Sequence, residues 1–239
     1  LGTDCGAIEM IGTETFLAGD GIGSRSFYQF VRFIVVSFCR TYMRMTVEGR
    51  ENIPASGAFV LAPIHRSYID TPIASGCTRR RMRFMGKDSL WKKQPFRWIL
   101  SALGAFPVTR GSADREAILR CIAVLERGEP LVLFPEGERK EGPVVQPLFD
   151  GAAYVACKAG VPIIPVGIGG SELVMGKRHK FIHPHKVHVI IGRPLPVPES
   201  KEGRMPRTAV KETSQLLHSE LQRLFDEAQL RAGLRPAGD

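Results

Sequence analysis

The stretch Ala58-Phe-Val-Leu-Ala-Pro-Ile-His-Arg-Ser-Tyr-Ile-Asp70 decides the fold. Its first half is an unbroken apolar run after Gly57, the pattern of a strand buried on both faces. Its second half turns polar at once, so His65 falls on the turn leaving the strand. Asp70 then falls about one turn into the helix that follows. Comparable strand-like runs recur at Arg83-Phe-Met-Gly86, Ala105-Phe-Pro-Val108, Leu131-Val-Leu-Phe134, Ile163–Ile168 and Lys186–Ile191.

Helical patterns lie between and after them. Ser112 is placed to cap a helix running to Arg127, with Ile118, Ile122 and Leu125 on one face and Gly128 ending it. A second helix covers Gly151–Ala159. A last one covers Thr208–Arg231, with Leu217, Leu221 and Leu224 facing inward. This alternation predicts an α/β fold: a largely parallel or mixed sheet covered by helices on both faces.

A chain of 239 residues is long enough for one large α/β domain, or a domain with a small appendage. The expected division is a segment over residues 1–46 and a domain over residues 47–239. Residues 1–24 hold six glycines and four acids, with no Lys or Arg, and lack the pattern of a secretory signal. From Phe27 to Met45 the pattern becomes helical and amphipathic. Phe27, Phe30, Val31, Ile34, Val35, Phe38 and Tyr42 share one broad face; Gln29, Arg32, Arg40 and Arg44 share the other. The longest uncharged run there, Phe33 to Cys39, is too short to span a bilayer. A helix lying in the membrane interface is expected, with packing on the domain core as the competing reading.

The charge is 33 − 24 = +9, with pI near 9.6. Such a balance favours an anionic partner: nucleic acid, acidic lipid headgroups or phosphorylated substrates. The five cysteines are 34 or more residues apart with no C-x-x-C pair, which argues against a disulfide framework or a structural zinc site. His179, His183, His185 and His188 cluster, but Lys177, Arg178, Lys180 and Lys186 among them disfavour a bound cation. A basic hairpin touching acidic headgroups suits that segment better. Arg79-Arg-Arg81 with Arg83 is basic too, but no nucleic-acid motif accompanies it.

His65 and Asp70 have the composition of an oriented general base. The carboxylate can hold one imidazole nitrogen protonated and leave the other basic. No Gly-x-Ser-x-Gly elbow supplies a serine nucleophile, so the base is expected to act on a substrate hydroxyl. Other strand ends add binding groups. Lys87 follows the 83–86 strand, Arg110 follows the 105–108 strand, and Phe134-Pro-Glu-Gly-Glu-Arg139 closes the 131–134 strand. Ligands of open α/β sheets gather at the carboxyl ends of strands. Lys87, Arg110, Glu136, Gly137 and Arg139 are therefore expected around one crevice with His65. The basic side chains suit a phosphate, and Glu136 is expected to organise the pocket.

With these motifs in order, the chain resembles the glycerolipid acyltransferase family, which includes the 1-acylglycerol-3-phosphate acyltransferases. The family's H-x4-D motif is matched by His65 and Asp70; Ser67 also matches, while Ile64 stands where asparagine is usual. Gly104-Ala-Phe-Pro-Val-Thr-Arg110 matches the second motif. Phe134 to Arg139 matches the third, with Glu138 in place of threonine. Val161 to Val166 matches the fourth. The resemblance covers about residues 46–198.

It implies transfer of an acyl chain from acyl-CoA or acyl carrier protein to a phosphorylated acceptor at the cytoplasmic face of a membrane, without metal or redox cofactor. The expected acceptor is 1-acylglycerol-3-phosphate (lysophosphatidate), giving phosphatidate, with glycerol-3-phosphate or another lysolipid as the alternative. The contrary possibility is a peripheral lipid-binding protein on the same scaffold, against which the intact His65–Asp70 pair speaks.

Overall fold

A computed structural model of the chain describes residues 21–92, 94–108, 115–198 and 205–234, together with seven strands among them. The chain runs α1 (Ile22–Tyr42), β1 (Thr46–Glu48), β2 (Val60–Pro63), α2 (Asp70–Gly76), β3 (Arg83–Lys87), α3 (Gln94–Ala102), β4 (Ala105–Val108) and α4 (Arg115–Glu126). It continues through β5 (Leu131–Val132), α5 (Gly151–Ala159), β6 (Ile163–Gly169), α6 (Ser171–Met175), β7 (His188–Ile191) and α7 (Arg207–Ala232).

The sheet order is β1-β7-β6-β2-β5-β3-β4. Only the β6–β7 pairing is antiparallel, so the sheet is mixed. All four residues of β2 and all seven of β6 are buried, as their unbroken apolar runs require. Helix α5 packs against both α4 and α7, with α5 on β2 and α7 on β6 and β7. Helices α1 and α3 group around α2 and β4.

Gly167 and Gly169 explain how closely α7 sits on β6. A Cβ at either would lie 2.3 Å from Leu224 O or 2.1 Å from Ala228 O, so backbone meets backbone there. Leu217, Leu221 and Leu224 are buried, as their spacing predicts.

Three expectations need correction. The first helix starts at Ile22, ahead of Phe27, and its orientation differs from the simple split of faces. Tyr28, Val36 and Cys39 are buried, whereas Phe30, Phe33 and Ile34 are 62%, 69% and 51% exposed. Arg32 turns inward and donates Nε to Ser75 O at 3.0 Å. Second, residues 177–186 form a loop and not a hairpin, and the strand expected from Lys186 begins at His188. Third, Lys87 is the last residue of β3 rather than the first beyond it. The cap assigned to Ser112 lies outside the described residues, as do residues 1–20 and Arg110.

Candidate active site

The site is built where β2 and β5, parallel neighbours, end side by side. Asp70 opens α2, and the loop from His65 wraps around its carboxylate. Asp70 Oδ2 accepts Arg66 N–H at 2.6 Å and Ser67 N–H at 2.6 Å, and meets His65 Nδ1 at 3.1 Å. Asp70 is fully buried; the His65 side chain keeps 14% of its surface open. An ionised carboxylate can only accept, so Nδ1 carries the proton and Nε2 has the free lone pair. Phe134 stacks on the imidazole with centroids 4.1 Å apart and planes at 25°, which fixes the ring's plane. Ser67 braces the loop from behind, donating Oγ–H to Met175 O at 2.7 Å.

Glu136 is fully buried. Its oxygens accept Arg66 Nη1 at 2.7 Å each, His65 N–H at 3.0 Å and Gln146 N–H at 3.2 Å. Its work is therefore to hold the His65 loop against the 134–146 loop. Arg66 completes that joint. It is 1% exposed, donates to the carbonyls of Gly142 and Val144 at 3.2 and 3.1 Å, and lies over the Phe225 ring. Arg66 falls on one of the unspecified positions inside H-x4-D. An arginine is almost never fully buried without a partner, and nothing in the sequence marked Glu136 as that partner.

Gly137 has φ +72°, and a Cβ there would lie 2.7 Å from the Phe149 ring. The glycine is needed for the turn and for this approach, rather than to leave the space empty. Arg139 is half-buried, with its guanidinium 3.6 Å above the Tyr68 ring. Its Nε is buried without a hydrogen-bond partner among the described residues. Glu138 directs its carboxylate to Lys140 Nζ at 2.8 Å. Arg139 therefore stands as a fixed cation one loop from His65. The backbone of Lys87 lies at the same edge of the sheet, two strands from β2, through the parallel β3–β5 pairing. Its side chain lies outside what is described, so its meeting with His65 remains an expectation.

The thiols offer no alternative nucleophile among the described residues. Cys39, Cys77, Cys121 and Cys157 are buried and form no disulfide among the described residues. Burial pushes the Cys77 thiol up to about 12 and Cys39 up to about 11, which keeps both protonated at neutral pH. No group of three or more His, Cys, Asp and Glu side chains is placed to hold a metal among the described residues. His179 and His183 meet edge to face, centroids 5.1 Å apart.

Known proteins share parts of this sequence and this fold. The family model described as Acyltransferase matches residues 44–169, over half of the chain. The 1-acyl-sn-glycerol-3-phosphate acyltransferase of Bacillus subtilis is 31% identical over 62% of this chain and 72% of its own length. The chloroplastic 1-acyl-sn-glycerol-3-phosphate acyltransferase of Brassica napus is 27% identical over 72% of this chain and 51% of its own length. The chain thus spans about half the length of the Brassica napus relative. The crystal structure of the 1-acyl-sn-glycerophosphate acyltransferase PlsC from Thermotoga maritima shares the fold, with TM-score 0.69 and 24% identity, covering 91% of this chain and 88% of that one. Carrying the H-x4-D pair within the matched residues, the chain belongs to the Acyltransferase family.

Proposed function

We propose that the protein transfers an acyl chain from the thioester of acyl-CoA or acyl carrier protein to a hydroxyl of 1-acylglycerol-3-phosphate, giving phosphatidate. The carrying observation is the His65 Nδ1–Asp70 Oδ2 contact, with Lys140 N–H donating to His65 O at 2.9 Å and so joining His65 to the loop of Arg139, whose Nε has no hydrogen-bond partner among the described residues. His65 Nε2 takes the proton from the acceptor hydroxyl as its oxygen bonds to the thioester carbon. The C–S bond then breaks, and the leaving sulfur takes the proton from the imidazolium. No acyl-enzyme is required. The names of the relatives support lysophosphatidate over glycerol-3-phosphate as acceptor.

Arg139 is the group proposed to hold the acceptor phosphate, with Lys87 and Arg110 as further candidates. A charged hydrogen bond of this kind contributes about 1.5–3 kcal/mol. Arg139→Ala is therefore expected to raise the apparent KM for the phosphorylated acceptor roughly ten- to hundredfold. The KM for the thioester should change far less. Initial rates with both substrates varied check this, and a donor-only effect would place the cation on the other substrate.

The chain is proposed to work at a membrane surface. No described helix is long and apolar enough to cross a membrane. Phe30, Phe33 and Ile34 instead give α1 an exposed apolar stripe, with Arg25 and Arg40 beside it. An apolar cavity of about 220 Å³ lies beneath α1, between Val31, Val35, Phe84, Leu100 and Leu103. It borders Thr71 and Pro72, next in the chain to Asp70, and is proposed to receive acyl chain. Phe30→Asp with Ile34→Asp is expected to weaken vesicle co-sedimentation by roughly tenfold or more, since each large apolar side chain contributes about 1.5–3 kcal/mol on burial. Unchanged binding would move the attachment to the 176–187 loop, where Phe181 is exposed and Ile182 O accepts Tyr42 Oη–H at 3.3 Å.

A further inference from the structure

Helix α7 meets the Arg66–Glu136 joint with one face: His218, Gln222 and Phe225, spaced four and three residues apart as neighbours on a helix surface are. Phe225 is 1% exposed and lies against the Arg66 guanidinium, 5.1 Å from the ring centroid. The other two bond to the irregular segment 142–146, which follows the Phe134–Arg139 motif in the chain. All three lie beyond residues 44–169, the stretch that the family model matches.

That segment is bonded on two sides. Toward the ion pair, Gly142 O and Val144 O accept from Arg66, and Gln146 N–H donates to Glu136. Toward α7, Val145 uses both of its backbone groups. Its N–H donates to Gln222 Oε1 at 2.7 Å, and its carbonyl accepts from His218 Nε2 at 3.0 Å. Val145 is 2% exposed and belongs to no strand, so α7 supplies the partners that a sheet neighbour would otherwise give. Gln222 Nε2 donates to Pro143 O at 3.2 Å and to Asp226 Oδ1 at 2.8 Å. Val145 N–H can only donate, while Pro143 O and the Asp226 carboxylate can only accept. A carboxamide meets all three; a carboxylate or a thioether does not.

We propose that Gln222, with His218 beside it, is a positioning residue for acyl transfer. Gln222 fixes the backbone of residues 143–145. That backbone holds Arg66 directly and Glu136 through Gln146, and Glu136 accepts His65 N–H at 3.0 Å. The imidazole therefore stands where α7 puts it, through groups that touch neither substrate. Loosening this chain of bonds misplaces the base and slows the chemical step. The rate part of this inference rests on the acyl-transfer reading of His65; the coupling of α7 to the His65 loop does not.

Initial-rate kinetics and amide hydrogen exchange on the full chain test it. Gln222→Met keeps the length of the side chain and removes its donor and acceptor. Gln222→Glu with Asp226→Asn reverses the pair and restores an acceptor to Val145 N–H. Ser219→Gly, at an exposed position of α7 bonded only within the helix, weakens the helix without touching the segment and controls for stability alone. Gln222→Met is expected to lose roughly ten- to hundredfold in kcat, the scale of a slightly misplaced catalytic group, with the KM of each substrate near wild type. The reversed pair should recover most of that rate, and Ser219→Gly should keep the wild-type kcat. Amide exchange in Gln222→Met should quicken over residues 64–70 as well as 142–147. His218→Leu removes the other bond to Val145 and should move the same quantities less; it carries the test if Gln222→Met does not fold. Wild-type kcat in folded Gln222→Met, faster exchange confined to residues 142–147, or a reversed pair as slow as Gln222→Met overturns the positioning role. Wild-type protein that transfers no acyl group overturns the proposed function, and exchange over residues 64–70 then decides the coupling on its own.

Discussion

Folded His65→Ala protein is expected to transfer acyl groups about 10²–10⁴-fold more slowly than wild type, the usual range for a lost general base. Phe134 and Asp70 position this one imidazole, and His179, His183 and His185 sit in the 176–187 loop. Asp70→Asn should behave differently, for a reason visible only in the structure. One oxygen, Oδ2, serves all three donors, while Oδ1 is buried with no hydrogen-bond partner among the described residues. The amide oxygen of asparagine can take the Oδ2 position and keep Nδ1 protonated. Its NH2 group then occupies the partnerless position, and the negative charge facing the imidazolium is lost. Turnover should fall, but by less than in His65→Ala, and stability should fall by about 1–3 kcal/mol for the stranded donor. Rates and urea midpoints on both variants check this. Asp70→Asn slower than His65→Ala would contradict the oriented-base role.

The largest stability effect is expected at the joint between the two motifs. Glu136→Gln removes the charge that compensates Arg66, both nearly without solvent contact. Breaking a buried pair from one side costs about 3–5 kcal/mol, because the remaining charge has no counter-ion. For a chain of this size that is a fall in Tm of roughly 6–20 °C. Arg66→Met with Glu136→Leu removes both charges and should recover much of that loss. Activity should not recover, since His65 N–H and Gln146 N–H lose their shared acceptor. Thermal melts beside acyl-transfer rates separate the two effects. A double variant with wild-type turnover would show that the joint does not position His65.

The elements that could be placed from sequence are those with an unambiguous period or a strong stop. Helix α5 falls at Gly151–Ala159 as expected because Gly160, left-handed at φ 64°, ends it. Strands β2 and β6 stood out as runs too apolar to be anything but buried. The direction of β7 did not, because alternation is the same for parallel and antiparallel strands. Helix α1 could not be oriented, since apolar side chains occupy more than half of its circumference and only packing selects which of them are covered. Helix α3 was missed: its nine residues are short for a helical pattern and its Pro95 obscures the start. Within the site, His65 and Asp70 were legible because five-residue spacing across a turn leaves the pair few other arrangements. Arg66 was not, because a buried ion pair between residues 70 positions apart leaves no local trace.

His65 is proposed to deliver an acceptor hydroxyl straight to a thioester. Release of free thiol from acyl-CoA and from acyl-loaded carrier protein, measured with the wild-type chain on vesicles, tests it most directly. The acceptor is either omitted or supplied as 1-acylglycerol-3-phosphate. Thiol should appear only with the acceptor present, one for each phosphatidate formed, and without an initial burst. A burst of thiol in the absence of acceptor, or no acceptor-dependent release with either donor, would contradict direct transfer by this site.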